Sequence, residues 1–82
     1  MAPSADTEEL LRFLVTSLVD DPDSVRIACR TGDGTVAYEI SVHEDDIGKV
    51  IGRQGRIIKA IRTVLRAAGS VNGDHIDVDV LG

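Results

Sequence analysis

Two glycines three residues apart, Gly52 and Gly55, cut an apolar stretch in two: VIGRQGRIIKAI, residues 50–61. Nothing else in the chain narrows its fold as much. Val50 and Ile51 lie at helical spacing from Ile47, so they end a short helix. A second helix begins near Gly55 or Arg56 and continues to about Gly69. Joining two helices through G-R-Q-G alone forces a sharp turn. Gly52 ends the first helix without the penalty of a Cβ. Gly55 lets the backbone pass close to whatever lies against the loop. The second helix then presents unpaired N–H groups and its positive dipole end at that point, an arrangement that attracts anions. Arg53, at the tip, has a planar side chain matched to phosphate oxygens.

Charge is distributed to the same effect. The 82-residue chain has net charge −5, and all fourteen Asp and Glu fall within residues 6–46 or 74–79. From Ile47 to Gly73 there is no acid, while Lys49, Arg53, Arg56, Lys59, Arg62 and Arg66 give a local +6. The rest of the chain therefore carries −11, which is −5 less +6. The local field, not the net charge, decides what approaches this segment.

The second helix sorts its residues by face. Counted from Arg56 at 100° per residue, Ile57, Ile61, Val64, Leu65 and Ala68 fall between about 80° and 180°. Arg62, Arg66, Lys59 and Arg56 fall between about 240° and 360°. Ile58, near 200°, lies on the seam and is expected to line a groove, whereas Ile51 and Ile61 are expected in the core. A groove with an apolar floor and a phosphate-binding wall needs this division.

Elsewhere the elements are legible. Residues 1–5 are expected to be a flexible N-terminus. Asp6 is an expected N-cap, with Glu9 completing a capping box. Leu11, Leu14, Val15 and Leu18 follow at helical spacing, widened by Leu10 and Phe13, and Pro22 ends the helix. SVRIACR alternates as a strand with Val25, Ile27 and Cys29 inward, which makes Cys29 an inert core thiol. Asp33-Gly34 in TGDGT suits a tight hairpin turn. In VAYEISV, Val36, Tyr38, Ile40 and Val42 point inward. HEDD supplies carboxylates to the first turn of the short helix. SVNGD is a loop, and HIDVDVL is a last strand with Ile76, Val78 and Val80 inward. The order is α-β-β-α-α-β, an α+β fold in which three helices cover one face of a three-stranded sheet and bury all three apolar strand faces. The other face shows Arg26, Arg30, Glu39, Ser41, Asp77 and Asp79.

VIGRQGRIIKAI resembles the KH-domain signature V-I-G-x-x-G-x-x-I-x-x-I, with Val50, Ile51, Gly52, Gly55, Ile58 and Ile61 matching. The extra helix and strand ahead of it resemble the type II arrangement. EDDIGKVIGRQGRIIKAIRTVL is most similar to the small single-KH RNA-binding proteins of bacteria. The resemblance implies one KH domain over residues 1–82 that clamps about four nucleotides of single-stranded RNA. Its implied contacts are Lys49, Val50, Gly52, Arg53, Gln54, Gly55, Arg56, Ile58 and Lys59. Arg62 and Arg66 are either RNA-facing or a solvated helix face. The resemblance also implies a cytoplasmic RNA chaperone or post-transcriptional regulator, a Jag-type KH partner or self-association, and influence on cell length and peptidoglycan homeostasis. A ribosome-associated factor and a protein-only adaptor are the alternatives.

Other chemistry finds little support. One Phe, one Tyr and no Trp disfavour recognition by stacked aromatics. G-x-x-x-x-G-K-[ST] is absent, as is any nucleophile–base pair, so no enzymatic activity is expected. His43 and His75 lack the spacing of a zinc site, and neither a metal nor a cofactor is expected. GKVIG reads as GxxxG in a helix too short and charged for a membrane. No stretch is long enough to span one, and no secretion signal is visible.

Overall fold

The computed structural model describes residues 3–70 and 75–81. Its elements are α1 (Pro3–Leu18), β1 (Arg26–Gly32), β2 (Thr35–Ser41), α2 (Ile47–Ile51), α3 (Arg56–Ser70) and β3 (His75–Val80). Single 3-10 turns at Pro22–Ser24, Glu44–Asp46 and Arg53–Gly55 link them. The expected α-β-β-α-α-β order is the observed one. Residues 71–74, most of the expected SVNGD loop, lie outside the described residues, as do Met1 and Ala2 of the expected N-terminal segment.

The sheet runs β1-β2-β3. β1 and β2 pair antiparallel from Arg26↔Ser41 to Gly32↔Thr35. Asp33 (φ 48°) and Gly34 (φ 78°) form the two-residue turn, the left-handed pair that matches strand twist. β2 and β3 are parallel, from Thr35↔His75 to Ile40↔Val80. A parallel pair needs a crossover, and α2 with α3 supplies it across the sheet. α3 packs on β3, and α1 packs on α3.

The core lies between β2 and β3 on one side and the helices on the other. Val36, Tyr38, Ile40, Ile76 and Val78 meet Leu11, Val15, Ile61 and Leu65 there, all buried. Tyr38 keeps its hydroxyl satisfied inside this layer through Thr7 Oγ1, as a buried phenol must.

Four expectations are corrected. α1 begins at Pro3, so Asp6 is inside the helix and not its N-cap; proline fits a first turn, where an N–H would be unpaired anyway. The first strand does not bury its apolar face. Val25 is buried but precedes β1, Ile27 is only half-buried, and Cys29 is exposed. The cause is layer placement: the helices stack mainly over β2 and β3, leaving β1 as a partly covered edge. α1 likewise turns less of itself inward than its wide stripe suggests, with Phe13 67% exposed. Finally, the buried face of α3 carries Ile58, Ile61, Leu65 and Gly69, while Val64 is exposed. That face is rotated about 50° from the expected arc, toward Ile58.

Candidate nucleic-acid interface

α2 stops at Gly52, whose φ of 76° and ψ of 173° no L-side chain adopts readily. Its N–H closes the helix onto Gly48 O at 2.8 Å. A second constraint also demands glycine: a Cβ at this position would stand 2.6 Å from Ile57 Cγ1. The side chain of Ile57 therefore lies directly against the loop backbone. Arg53–Gly55 then make one tight turn, with Gln54 (φ 57°) and Gly55 (φ 73°) both left-handed. Gln54 holds this conformation without glycine's freedom, a local strain of the kind that concentrates at functional sites.

The turn leaves donors unspent. Gly55 N–H bonds to Gly52 O at 3.1 Å, and Arg56 N–H bonds to Arg53 O. The N–H groups of Arg53 and Gln54 have no main-chain partner among the described residues. These donors adjoin the N-terminus of α3, a fifteen-residue helix with no acid in its first turn, so loop and helix dipole favour an anion at the same point.

Arg53, Gln54, Arg56 and Lys59 are all exposed. Arg53, Arg56 and Lys59 recur every three residues, which places them on one side of the turn and helix. Among the described residues, none of the three forms an ion pair; the other half of the acid-free window does. Lys49 is bound by Asp20 and by Asp46 Oδ1, the latter at 3.1 Å. Arg62 Nη2 meets Asp79 Oδ1 at 3.1 Å, and Arg66 Nη2 stands 3.6 Å from Asp77 Oδ1. The six basic residues thus divide into three available cations at the loop and three engaged ones flanking it.

Two expected contacts turn out to be interior. Val50 is fully buried, and Ile58 is 7% exposed against 4% for Ile61, so the seam position does not make a groove floor of Ile58. The rotation of α3 brings it inward beneath Gly55, where a Cβ would lie 3.8 Å from Ile58 Cγ2. Both residues support the loop from within.

Sequence reasoning missed Asp46. Of the HEDD run, Glu44 and Asp45 face solvent, His43 caps the turn by accepting Asp45 N–H on Nδ1 at 3.1 Å, and Asp46 is buried. Burial works against a charged Asp46 carboxylate. The Lys49 ammonium and main-chain donors of Asp20 and Asp21 outweigh it and hold the pKa below the usual range. The i, i+3 spacing of Asp46 and Lys49 was the signal available. Ile57, the other omission, was read only as core.

No group of His, Cys, Asp or Glu among the described residues could hold a metal ion. No described helix is long and apolar enough to cross a membrane.

Residues 8–80 match the family described as KhpA/KhpB, KH domain. The chain belongs to this family. It is 49% identical over 74 residues to RNA-binding protein KhpA of Streptomyces coelicolor, covering 88% of this chain and 94% of the relative. It is 44% identical to RNA-binding protein KhpA of Bacillus subtilis, over 89% of this chain and 90% of the relative. The KhpA of Chlamydia pneumoniae is 43% identical over 90% of this chain and 95% of its own length. In structure, the KH fold is shared with Era crystallised with MgGDPNP and nucleotides 1506–1542 of 16S ribosomal RNA. That match has a TM-score of 0.65 at 21% identity and covers 92% of this chain but 30% of Era.

Proposed function

We propose that this KH-family protein binds single-stranded RNA without catalysing a reaction on it, gripping the phosphate backbone at residues 52–55. The observation that carries this reading is the division of charge around the loop. Among the described residues, Arg53, Arg56 and Lys59 form no ion pair and stand beside two loop N–H groups without a main-chain partner, while Lys49, Arg62 and Arg66 are engaged by carboxylates. A protein-only adaptor has no need of a glycine packed directly against Ile57, nor of three cations around it that form no ion pair among the described residues. The KhpA relatives are named as RNA-binding proteins, which supports the same reading.

Phosphate sits against the loop and the start of α3, with Arg53, Arg56 and Lys59 supplying charge and Gly52, Gln54 and Gly55 the backbone shape. Bases lie along the flank of α3. Val50 and Ile58 act beneath the surface, by holding the loop in place. Lys49 contributes to the field while it is held by Asp20 and Asp46.

In the cell, this reading makes the protein a cytoplasmic RNA chaperone or post-transcriptional regulator. A single site with few phosphate contacts binds weakly, and a second KH module held nearby raises its occupancy. Self-association or a Jag-type KH partner would provide that module, in a pathway affecting cell length and peptidoglycan homeostasis.

The test replaces Arg53 and Gln54 together by aspartate. Both are exposed, so the melting curve stays close to that of the parent while binding of short single-stranded RNA is lost. A folded double variant that binds RNA like the parent overturns the proposed grip.

A further inference from the structure

The three cations engaged by carboxylates are not held alike. Arg62 and Arg66 each donate to a β3 carbonyl besides pairing with an aspartate: Arg62 Nε to Val78 O at 2.8 Å, and Arg66 Nε to Ile76 O at 3.2 Å. Lys49 is held by side-chain carboxylates, Asp46 and Asp20. These two holders differ in turn. The Asp46 side chain is 3% exposed and also accepts the Asp21 N–H. Parting Lys49 from it would leave a buried charge without its partner, a large loss. The Asp20 side chain is 83% exposed, so water solvates its carboxylate with or without the lysine. An ion pair this exposed is weak and is screened by salt. Lys49 therefore has one bond that is fixed and one that yields.

Place gives the yielding bond its meaning. Lys49 lies in α2 three residues before Gly52, about 4.5 Å along the axis, and residues so spaced are neighbours on one side of a helix. An ammonium has three donors, and the bond to Asp46 leaves two. With Asp46 and Asp20 both beside it, the cluster carries a formal charge of −1 close to the loop. Without Asp20 it is neutral, and the lysine is compensated from its buried side alone. The separation is well inside the Debye length, so the loop feels the difference. Nor does α1 gain from this acid. The helix ends at Leu18 with no basic residue in its last turn, and an anion two residues beyond opposes the dipole there. Asp20 thus acts on Lys49 at the expense of its own helix.

We propose that Asp20 is an autoinhibitory contact, which withholds Lys49 from the phosphate backbone and so keeps a fourth cation out of the RNA site. The inference rests on the RNA-binding reading above, and the experiment separates the two. Fluorescence anisotropy of the full chain with a short single-stranded RNA is measured over about a tenfold range of salt. Asp20→Asn removes the charge and keeps the main-chain donor that faces Asp46. It binds more tightly than the parent, and its slope of log K against log salt is steeper by about 0.7, one further contact on a single strand. Its advantage accordingly shrinks by about fivefold across that range. Asp45→Asn is the control: it changes the net charge equally, but Asp45 is exposed and pairs with His43, not with Lys49. It leaves the slope at the parent's value. The side-chain methylene signals of Lys49 give a readout that leaves Lys49 in place: they shift with RNA in Asp20→Asn and much less in the parent. An Asp20→Asn protein with the parent's affinity and slope overturns the withholding and leaves RNA binding standing. The same gain and slope in Asp45→Asn make Asp20 one repelling charge among many and overturn the contact, as do Lys49 signals that answer RNA alike in parent and variant. A parent and variant that both bind no RNA overturn both readings together.

Discussion

The Asp46 carboxylate clasps Lys49 and the chain following α1 at once: Oδ1 lies 3.1 Å from Lys49 Nζ, and Oδ2 accepts the Asp21 N–H at 3.1 Å. Lys49 continues the contact outward to Asp20. The turn after α1 is thereby fastened to the helix that ends at Gly52. One buried carboxylate thus links the first helix to the position of the loop.

This clasp predicts a pH profile. The pKa of Asp46 is lowered on folding, so its contribution is present above the unfolded value of about 3.9 and fades as pH falls through the lower folded value. The pKa of Lys49 is raised, first by its hydrogen bonds to Asp20 and Asp46. Its contribution is complete below about pH 10.4 and is lost as pH rises through the higher folded value. Urea midpoints measured across this range should fall at both extremes. Asp46→Asn should lower the plateau and flatten the acid limb. An acid limb as steep in the variant as in the parent would assign acid sensitivity to other carboxylates.

Gly52 and Gly48, four residues apart, should respond oppositely to alanine. Gly52→Ala meets both the positive φ and Ile57, and should cost about 1–3 kcal/mol. Adding Ile57→Ala should recover the steric part and leave the backbone part. Gly48→Ala meets nothing within 4 Å inside α2 and should be neutral or stabilising by up to about 1 kcal/mol. Denaturant titration of the four proteins checks this; equal losses at Gly48 and Gly52 would contradict the geometry.

Ile58→Ala and Ile61→Ala should each cost about 2–5 kcal/mol, because both side chains belong to the core. Near-parental stability of the Ile58 variant would return that residue to the surface.

RNA affinity should fall with salt in proportion to the free cations. Three phosphate contacts predict a slope of log K against log salt of about −2, at about −0.7 per contact on a single strand. Removing Lys59 should make the slope shallower by about 0.7. A slope unchanged in Lys59→Ala would exclude it from the contact.

Cys29 should react in the native protein, since it is exposed. Desolvation first, and then Glu8, raise its thiol pKa, so labelling by a disulfide reagent should be slower than for free cysteine and faster in Glu8→Gln. A thiol that reacts only after unfolding would contradict the exposed edge.

The order of elements, the Asp33-Gly34 turn and the helix break at Gly52 were legible because each rests on local rules: alternation, left-handed turn residues and a missing Cβ. What sequence could not supply was the lateral position of one layer over another. Cys29 has the alternation of a buried strand residue, yet it is exposed because the helices stack mainly over the other two strands. Ile58 has the angle of a border residue, yet a rotation of α3 carries it inside. The same limit applies around the loop. Lys49 and Arg53 are alike as letters, and only the fold shows that Asp20 and Asp46 hold one of them while the other is free.

The two margins of the sheet are unlike. Along β3, Arg62 and Arg66 of α3 donate to the outward carbonyls of Val78 and Ile76; along β1, Cys29 and Arg30 are exposed. A neighbouring strand would have to displace those two arginines to pair with β3, whereas pairing with β1 displaces neither. The arginines of α3 thus raise the cost of adding a strand at that margin.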